Sequence, residues 1–394
     1  MSDLAHIHSE RPDQKLAALF ITLFLAGIFL SSTIPSNAFL AITWFLAFAT
    51  NYRCITPYVT KRTIQFVLIL FFAHIWIYVH ATYLAEPSFI MESEGFSKRI
   101  LFTPIYSILF LLLVKDSPKL LIRSIEILLK VFVALWFLQF FATYITGDFL
   151  DYLKILGIRA QKGSAYFLNG GIFGFKVWRP TSLFNEPGSY AAAVFPLLAL
   201  DYYAKNKHLT RLHKLTLISF GLCLSAFAML LASAFLIARS LERARQSPTK
   251  KVWFLITLLI ILVPLYYYYE IRFVGNELRG GLEFRTTIFQ DFWAQDLTSH
   301  LFGNSFTTLE IIDSKTRVYR VILQDLSFLF YAWYSLGLLF VFLIVWLFRT
   351  SVHRSRDFWI FFPVMLSKVS ITTYFLWISL VSMHIISTQW RSKS

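Results

Sequence analysis

Arg179 and Glu186 stand close together in a chain that is apolar over long stretches, within Arg179-Pro180-Thr181-Ser182-Leu183-Phe184-Asn185-Glu186-Pro187-Gly188-Ser189-Tyr190-Ala191. An arginine presents a planar fork of donors that grips phosphate oxygens two at a time. A nearby carboxylate can take the proton of an attacking hydroxyl. The bland counterpart for Glu186 is a brace, ion-paired to Arg179 and favoured at the start of the following helix. Further cations gather in two segments: Arg159, Lys162 and Lys176 with Arg179 between 147 and 188, and Arg272, Arg279, Arg285, Lys315, Arg317 and Arg320 between 270 and 325. If both segments converge on one anionic ligand, Arg179 and Arg285 pair against growing negative charge. Arg159, Lys176, Arg272, Arg279, Arg317 and Arg320 then bind the rest of it. The alternative is solvated charge on translocated loops, which escape the charge bias of short ones.

The elements that must position these groups are membrane segments. Of the 394 residues 57% are hydrophobic and 15% charged, with a mean hydropathy of +0.60; an ordinary soluble domain is roughly 25% charged. Apolar runs near 16–34, 63–85, 124–146, 252–269 and 326–348 are long enough to span, and shorter ones near 37–50, 100–114 and 189–204 qualify if their flanks snorkel. Basic loops carrying Arg53, Lys61 and Arg62, then Lys115, Lys119 and Arg123, then Lys205, Lys207, Arg211 and Lys214 place those connections and the N-terminus in the cytoplasm. Segments 85–99, 147–188 and 270–325 then face the periplasm. Stretches 215–238 and 358–388 each lie between two basic loops, and one ordinary span cannot return to its own side. Each is therefore expected to be a pair of short broken helices, the first hinging near Leu224 to Ala228. The predicted fold is an all-α polytopic membrane domain over 1–394, with about 12 transmembrane segments and both termini cytoplasmic.

Other signals are weaker. The net charge of +15 would point to nucleic acid in a soluble protein, but here it divides between membrane sides, and no nucleic-acid partner is expected. Cys54 and Cys223 suggest no structural disulfide. His74 and His80 do not share a helix face and His384 stands alone, so all three read as core residues and no metal or other cofactor is expected. Glu92-Ser93-Glu94 reads as solvated charge, and Gly163, Gly170, Gly171 and Gly174 as a loop lacking the lysine and hydroxyl of a phosphate-binding loop. Tyr266 to Tyr269 read as an interfacial belt, with a sugar-stacking platform as the alternative.

The Arg179–Pro187 string resembles the Arg-Pro-x-Ser/Gly-x-Phe-x-Glu-Pro stretch of O-antigen polymerases (Wzy-type), in the superfamily that also holds the O-antigen ligases. Arg285 to Phe306, with Leu301-Phe302-Gly303-Asn304-Ser305, looks like the arginine-rich loop and Pro-Leu-x-Gly-x-Gly element of that superfamily. Asp325-Leu326-Ser327-Phe328-Leu329 looks like the start of its following helix, where ligases carry a histidine; Asp325 there favours polymerase over ligase and offers a second candidate carboxylate. The resemblance implies a GT-C-like fold in the bacterial inner membrane and a glycosyltransferase that moves a growing glycan from undecaprenyl pyrophosphate onto a lipid-linked repeat unit. Glu186 would take the acceptor proton. A flippase and a chain-length regulator would be its partners. The rivals are an O-antigen ligase and, from another class, a lipid-linked oligosaccharide flippase, which should place its cations within spans rather than in loops.

Overall fold

The computed structural model describes residues 12–31, 37–84, 96–158, 160–161, 178–244, 288–305, 308–312, 318–322, 327–352, 358–365 and 373–391. In chain order the helices are α1 (Pro12–Leu30), α2 (Asn37–Asn51), α3 (Lys61–Val79, continued by a π turn His80–Leu84), α4 (Phe96–Val114), α5 (Pro118–Thr146), α6 (Tyr152–Ile155), α7 (Pro187–Ala204), α8 (Arg211–Leu222), α9 (Ala226–Ala244) and α10 (Leu297–Phe302). After an antiparallel hairpin, β1 (Thr308–Ile312) and β2 (Val318–Ile322), come α11 (Phe328–Ser351), α12 (Phe358–Met365) and α13 (Tyr374–Arg391). Local chemistry sets several boundaries. Thr60 Oγ1 accepts the Thr63 amide to start α3, Pro118 opens α5, and Gly147, at φ 76, closes it.

Three helices among the described residues are long and apolar enough to cross a membrane by length and composition: Lys61–Leu84, Pro118–Thr146 and Phe328–Ser351. The chain is thus a protein with a few helices fit to span a bilayer. The expected all-α fold of about 12 segments is corrected by this finding and by the β hairpin. The physical reason lies in what solvates each apolar run. In α7 every residue from Tyr190 to Tyr203 is buried, with α5, α8, α9, α12 and α13 packed around it, so the run 189–204 is wrapped by protein. At 15 residues α2 reaches only about 22 Å against a hydrocarbon core of roughly 30 Å. Shorter apolar helices occupy Gln14–Leu30, Arg99–Val114, Phe227–Ser240 and Tyr374–Thr388. The run 252–269, with Tyr266 to Tyr269, lies outside the described residues.

The helix ends sort the basic residues to one side of the bundle. Arg62 on the first turn of α3 donates to the Thr350 and Val352 carbonyls at the end of α11, so these two helices are antiparallel. Lys115, ending α4, donates to the Tyr58 carbonyl just before α3, and Asn51 meets Ser117 just before α5. Ser124 near the start of α5 donates to the Ala18 carbonyl of α1, and Thr63 meets His384 of α13. Lys61, Arg62, Lys115, Lys119, Arg123 and Arg349 therefore collect at one end of the bundle, which both terminal helices also approach.

Toward the opposite end α11 breaks. Gly337 takes φ 83 and ψ 168, outside the helical region. The indole of Trp76 donates to the Leu336 carbonyl at 3.0 Å, which satisfies an acceptor that the break would otherwise orphan. Gly303, after α10, lies backbone to backbone against this break, and a Cβ on either glycine would overlap main-chain atoms of the other segment. Asn304 N–H donates to the Tyr334 carbonyl, and Ser305 Oγ reaches the His80 carbonyl at 2.7 Å. Gly337→Ala should destabilise the protein by about 2–4 kcal/mol, combining left-handed strain with overpacking. Gly221→Ala, where a Cβ meets nothing within 4 Å, serves as the control. Heating the purified variants and measuring the monodisperse fraction should show a large drop in melting temperature for Gly337→Ala alone; equal melting would refute the close approach.

Candidate functional site

Segment 178–186 enters the bundle alongside α5, and buried amides hold it there. Gln139 on α5 accepts the Thr181 and Ser182 amides through Oε1, at 2.7 and 2.8 Å, and donates through Nε2 to the Leu150 carbonyl and Gln161 Oε1. Gln161 in turn donates to the Ser182 and Phe184 carbonyls, and its own N–H meets Asp151 Oδ2. Trp136 donates its indole N–H to the Pro180 carbonyl, Tyr144 its hydroxyl to Trp178, and Ser182 its hydroxyl to the Phe132 carbonyl. These contacts run Trp178 to Ser182 back along α5 from the side chain of Tyr144, near its end, to the Phe132 carbonyl at its middle. Ser182 holds φ 54, a strained value that the network over-determines. Such irregular backbone is tolerated because surrounding protein satisfies its polar groups.

The two candidate charges sit on this segment, both half-buried. Arg179 lies near Cys223, in the break between α8 and α9 where Leu224 takes φ 48. Burial pushes the Cys223 thiol up to about 12, a shift that backbone hydrogen bonds and the Arg179 charge only partly oppose. Glu186 is the residue before α7, but its carboxylate makes no capping hydrogen bond. It lies over the first turn, where a Cβ on Gly188 would come 3.9 Å from Oε1. Two further polar atoms of the segment, Thr181 Oγ1 and Asn185 Oδ1, are buried and find no hydrogen-bond partner among the described residues. A positive charge, a carboxylate and unused hydrogen-bonding capacity thus share one rigid segment, which can receive a polar, anionic group.

Arg159, Lys176, Arg272, Arg279, Arg285, Arg317 and Asp325 lie outside the described residues. Of Arg320 only the backbone is described, in β2 opposite Glu310. The expected convergence of the two basic segments therefore lies outside the described residues, and Arg179 and Glu186, both on the first segment, are the candidates whose side chains are placed. Gln139 and Gln161, which position the site, were passed over by the sequence reading; a lone glutamine inside the run 124–146 was the signal. A second buried polar centre was also missed. Asp201 and His213, both fully buried, meet at 2.7 Å, while the Thr210 amide donates to His213 Nδ1, so Nε2 carries the proton given to Asp201. Lys205 approaches Asp201 and Glu126 at 3.1 Å each; burial works against its charge, yet these two carboxylates hold it above its ordinary pKa. This cluster ties α7 to α8 and α5 near the basic end.

No family model, no curated protein and no solved structure matches the chain. With three candidate spans in place of about 12, the resemblance to O-antigen polymerases is corrected, and the polymerase, ligase and flippase readings that rested on it are withdrawn.

The burial of Cys223 gives a direct probe of the site. Cys54 is exposed, so maleimide at pH 8 should label it and leave Cys223 unmodified, since a thiol raised to about 12 stays protonated there. In a Cys54→Ser background, Gln139→Leu removes the anchor of segment 178–186 and should raise the labelling rate of Cys223 by tenfold or more, if the anchor is worth about 1.5–3 kcal/mol. An unchanged rate, in protein shown to be folded, would mean that Gln139 does not hold the segment.

Proposed function

We propose that this chain is a membrane-embedded protein that binds the phosphate or pyrophosphate group of a lipid-borne substrate at Arg179. The observation that supports this most is the anchoring of segment 178–186 against α5, a helix fit to span a bilayer, which would set an arginine and a glutamate within the membrane on a rigid support. Ionisable groups at that depth cost several kcal/mol, and a functional task is the usual reason for keeping them. Arginine suits phosphate because its fork engages two oxygens at once. Lipid-borne substrates suit the site because they reach it laterally with their anionic group at the bilayer boundary. An undecaprenyl-pyrophosphate-linked glycan is one member of this class. The enzymatic form of the proposal has Glu186 accept the proton of a hydroxyl that displaces the phosphate-bearing group, while Arg179 stabilises the charge that develops.

We also infer that the protein lies in the bacterial cytoplasmic membrane with its basic end and both termini on the cytoplasmic side. The gathering of Lys61, Arg62, Lys115, Lys119, Arg123 and Arg349 at one end supports this orientation under the positive-inside tendency.

Purified full-length protein in lipid nanodiscs, titrated with a polyprenyl pyrophosphate, provides the test. Arg179→Ala should weaken binding by about 10- to 100-fold, the loss of a charge-assisted hydrogen-bonding group, and Arg179→Lys should restore little of it. Glu186→Gln should leave binding intact and slow turnover by about 10²- to 10⁴-fold if the carboxylate is the proton acceptor. Unchanged binding by Arg179→Ala would remove the anion site, while full turnover by Glu186→Gln would reduce Glu186 to a structural residue.

A further inference from the structure

At the basic end, away from Arg179, the first turn of α3 and the last turn of α11 enclose a cleft of about 560 Å³ lined by Lys61, Arg62, Gln65, Trp346, Arg349 and Thr350. Its size falls within the range of small-molecule sites, roughly 300–1,000 Å³. Three of the six lining residues are cations and none is acidic, so its chemistry selects a negatively charged occupant. Arg62 is the fixed member, because its guanidinium donates to the Thr350 and Val352 carbonyls and clamps the end of α11 to the start of α3. Lys61 and Arg349 flank it on exposed positions.

The surface that continues from the cleft identifies the kind of anion. On α3 the exposed apolar residues include Leu68, Phe72 and Ile75, which continue from Lys61 and Gln65 at helical spacing. On α11 the exposed positions leading back from Arg349 are Trp346, Phe342 and Leu339. Each stripe is charged or polar at the cleft and apolar for the next two to three turns. α3 and α11 are also two of the three helices fit to span a bilayer, and they pack against each other. A free phosphate would have no use for the apolar stripes. A lipid with an anionic head and hydrocarbon tails uses both, and Trp346, 54% exposed, stands at the junction where amphipathic rings favour the membrane interface.

We propose that this cleft is a specific site for an anionic glycerophospholipid of the surrounding leaflet. Its phosphate is held by Lys61, Arg62 and Arg349, and its acyl chains run along the paired faces of α3 and α11. The proposal needs these two helices to lie in a bilayer and does not depend on the Arg179 reading.

Full-length protein is reconstituted in nanodiscs of phosphatidylcholine with increasing phosphatidylglycerol, and retained lipids are counted by native mass spectrometry after release. Wild-type protein should retain one phosphatidylglycerol in preference to phosphatidylcholine by at least about tenfold, as juxtamembrane cations predict. Lys61→Gln with Arg349→Gln should reduce that preference to within about twofold, with Lys61→Gln alone intermediate. Arg62 is left intact because it clamps the fold, and melting in pure phosphatidylcholine discs should be the same for all three proteins. Inorganic phosphate at millimolar concentration should not displace the retained lipid. A wild type without preference, a double variant that keeps it, displacement by inorganic phosphate, or a dimer that the substitutions dissociate would each overturn the proposal.

Discussion

A primary amide buried within a long apolar helix must find partners for all its donors and acceptors, and the site depends on how Gln139 does so. In hydrocarbon or in a dry core an unmade hydrogen bond of this kind costs roughly 1–3 kcal/mol. Gln139 avoids that penalty by accepting from two consecutive amides of segment 178–186 and donating to Leu150 and Gln161. Those same bonds supply partners for backbone that has no helix or strand to satisfy it. The constraint is mutual, which is why a strained Ser182 and half-buried charges persist on a segment without regular structure. Without the amide, the Thr181 and Ser182 N–H groups lose their shared acceptor, and Trp136, Gln161 and the Ser182 hydroxyl are left to hold the segment.

Charge follows a complementary rule. Most of the described cations lie at one end of the bundle, where polar surroundings solvate them, and the few ionised groups placed deeper are paired or anchored. Asp201 is fully buried yet sits between His213 and Lys205, and it holds α8 against α7 through side-chain contacts rather than apolar packing alone. Arg179 lies on the anchored segment 178–186, near Cys223. Under the two proposals, the basic end receives an anionic headgroup and the Arg179 segment a single anionic group.

Breaks in helices do as much positioning as the helices themselves. Gly337 interrupts α11 where Gly303 approaches main chain to main chain, and the freed carbonyl is taken by Trp76. Leu224, at φ 48, separates α8 from α9 beside Arg179. At the Gly337 break other segments supply backbone partners, with Trp76 on the Leu336 carbonyl and the Asn304 amide on the Tyr334 carbonyl, as irregular backbone within a bundle requires.

Hydrophobic patterning by itself determined that the chain is built mainly of apolar helices, that 63–85, 124–146 and 326–348 contain helices able to span, and that Arg179 and Glu186 fall just before a helix. These are local properties: a run of apolar residues forms a helix in lipid and in a core alike, and Pro187 marks its first turn in either setting. Whether such a run faces lipid or protein is not local. The run 189–204 reads as a span but is enclosed by five helices, because burial depends on neighbours distant in sequence. The strands Thr308–Ile312 and Val318–Ile322, paired with Thr308 opposite Ile322, were overlooked amid the helical pattern. Most of all, the pairing of Gln139 with Thr181 and Ser182, and of Lys61 with Arg349 across the ends of two helices, could be decided only in three dimensions. One sequence specifies the donors and acceptors, but only the packed fold brings the particular pairs within hydrogen-bonding or electrostatic reach.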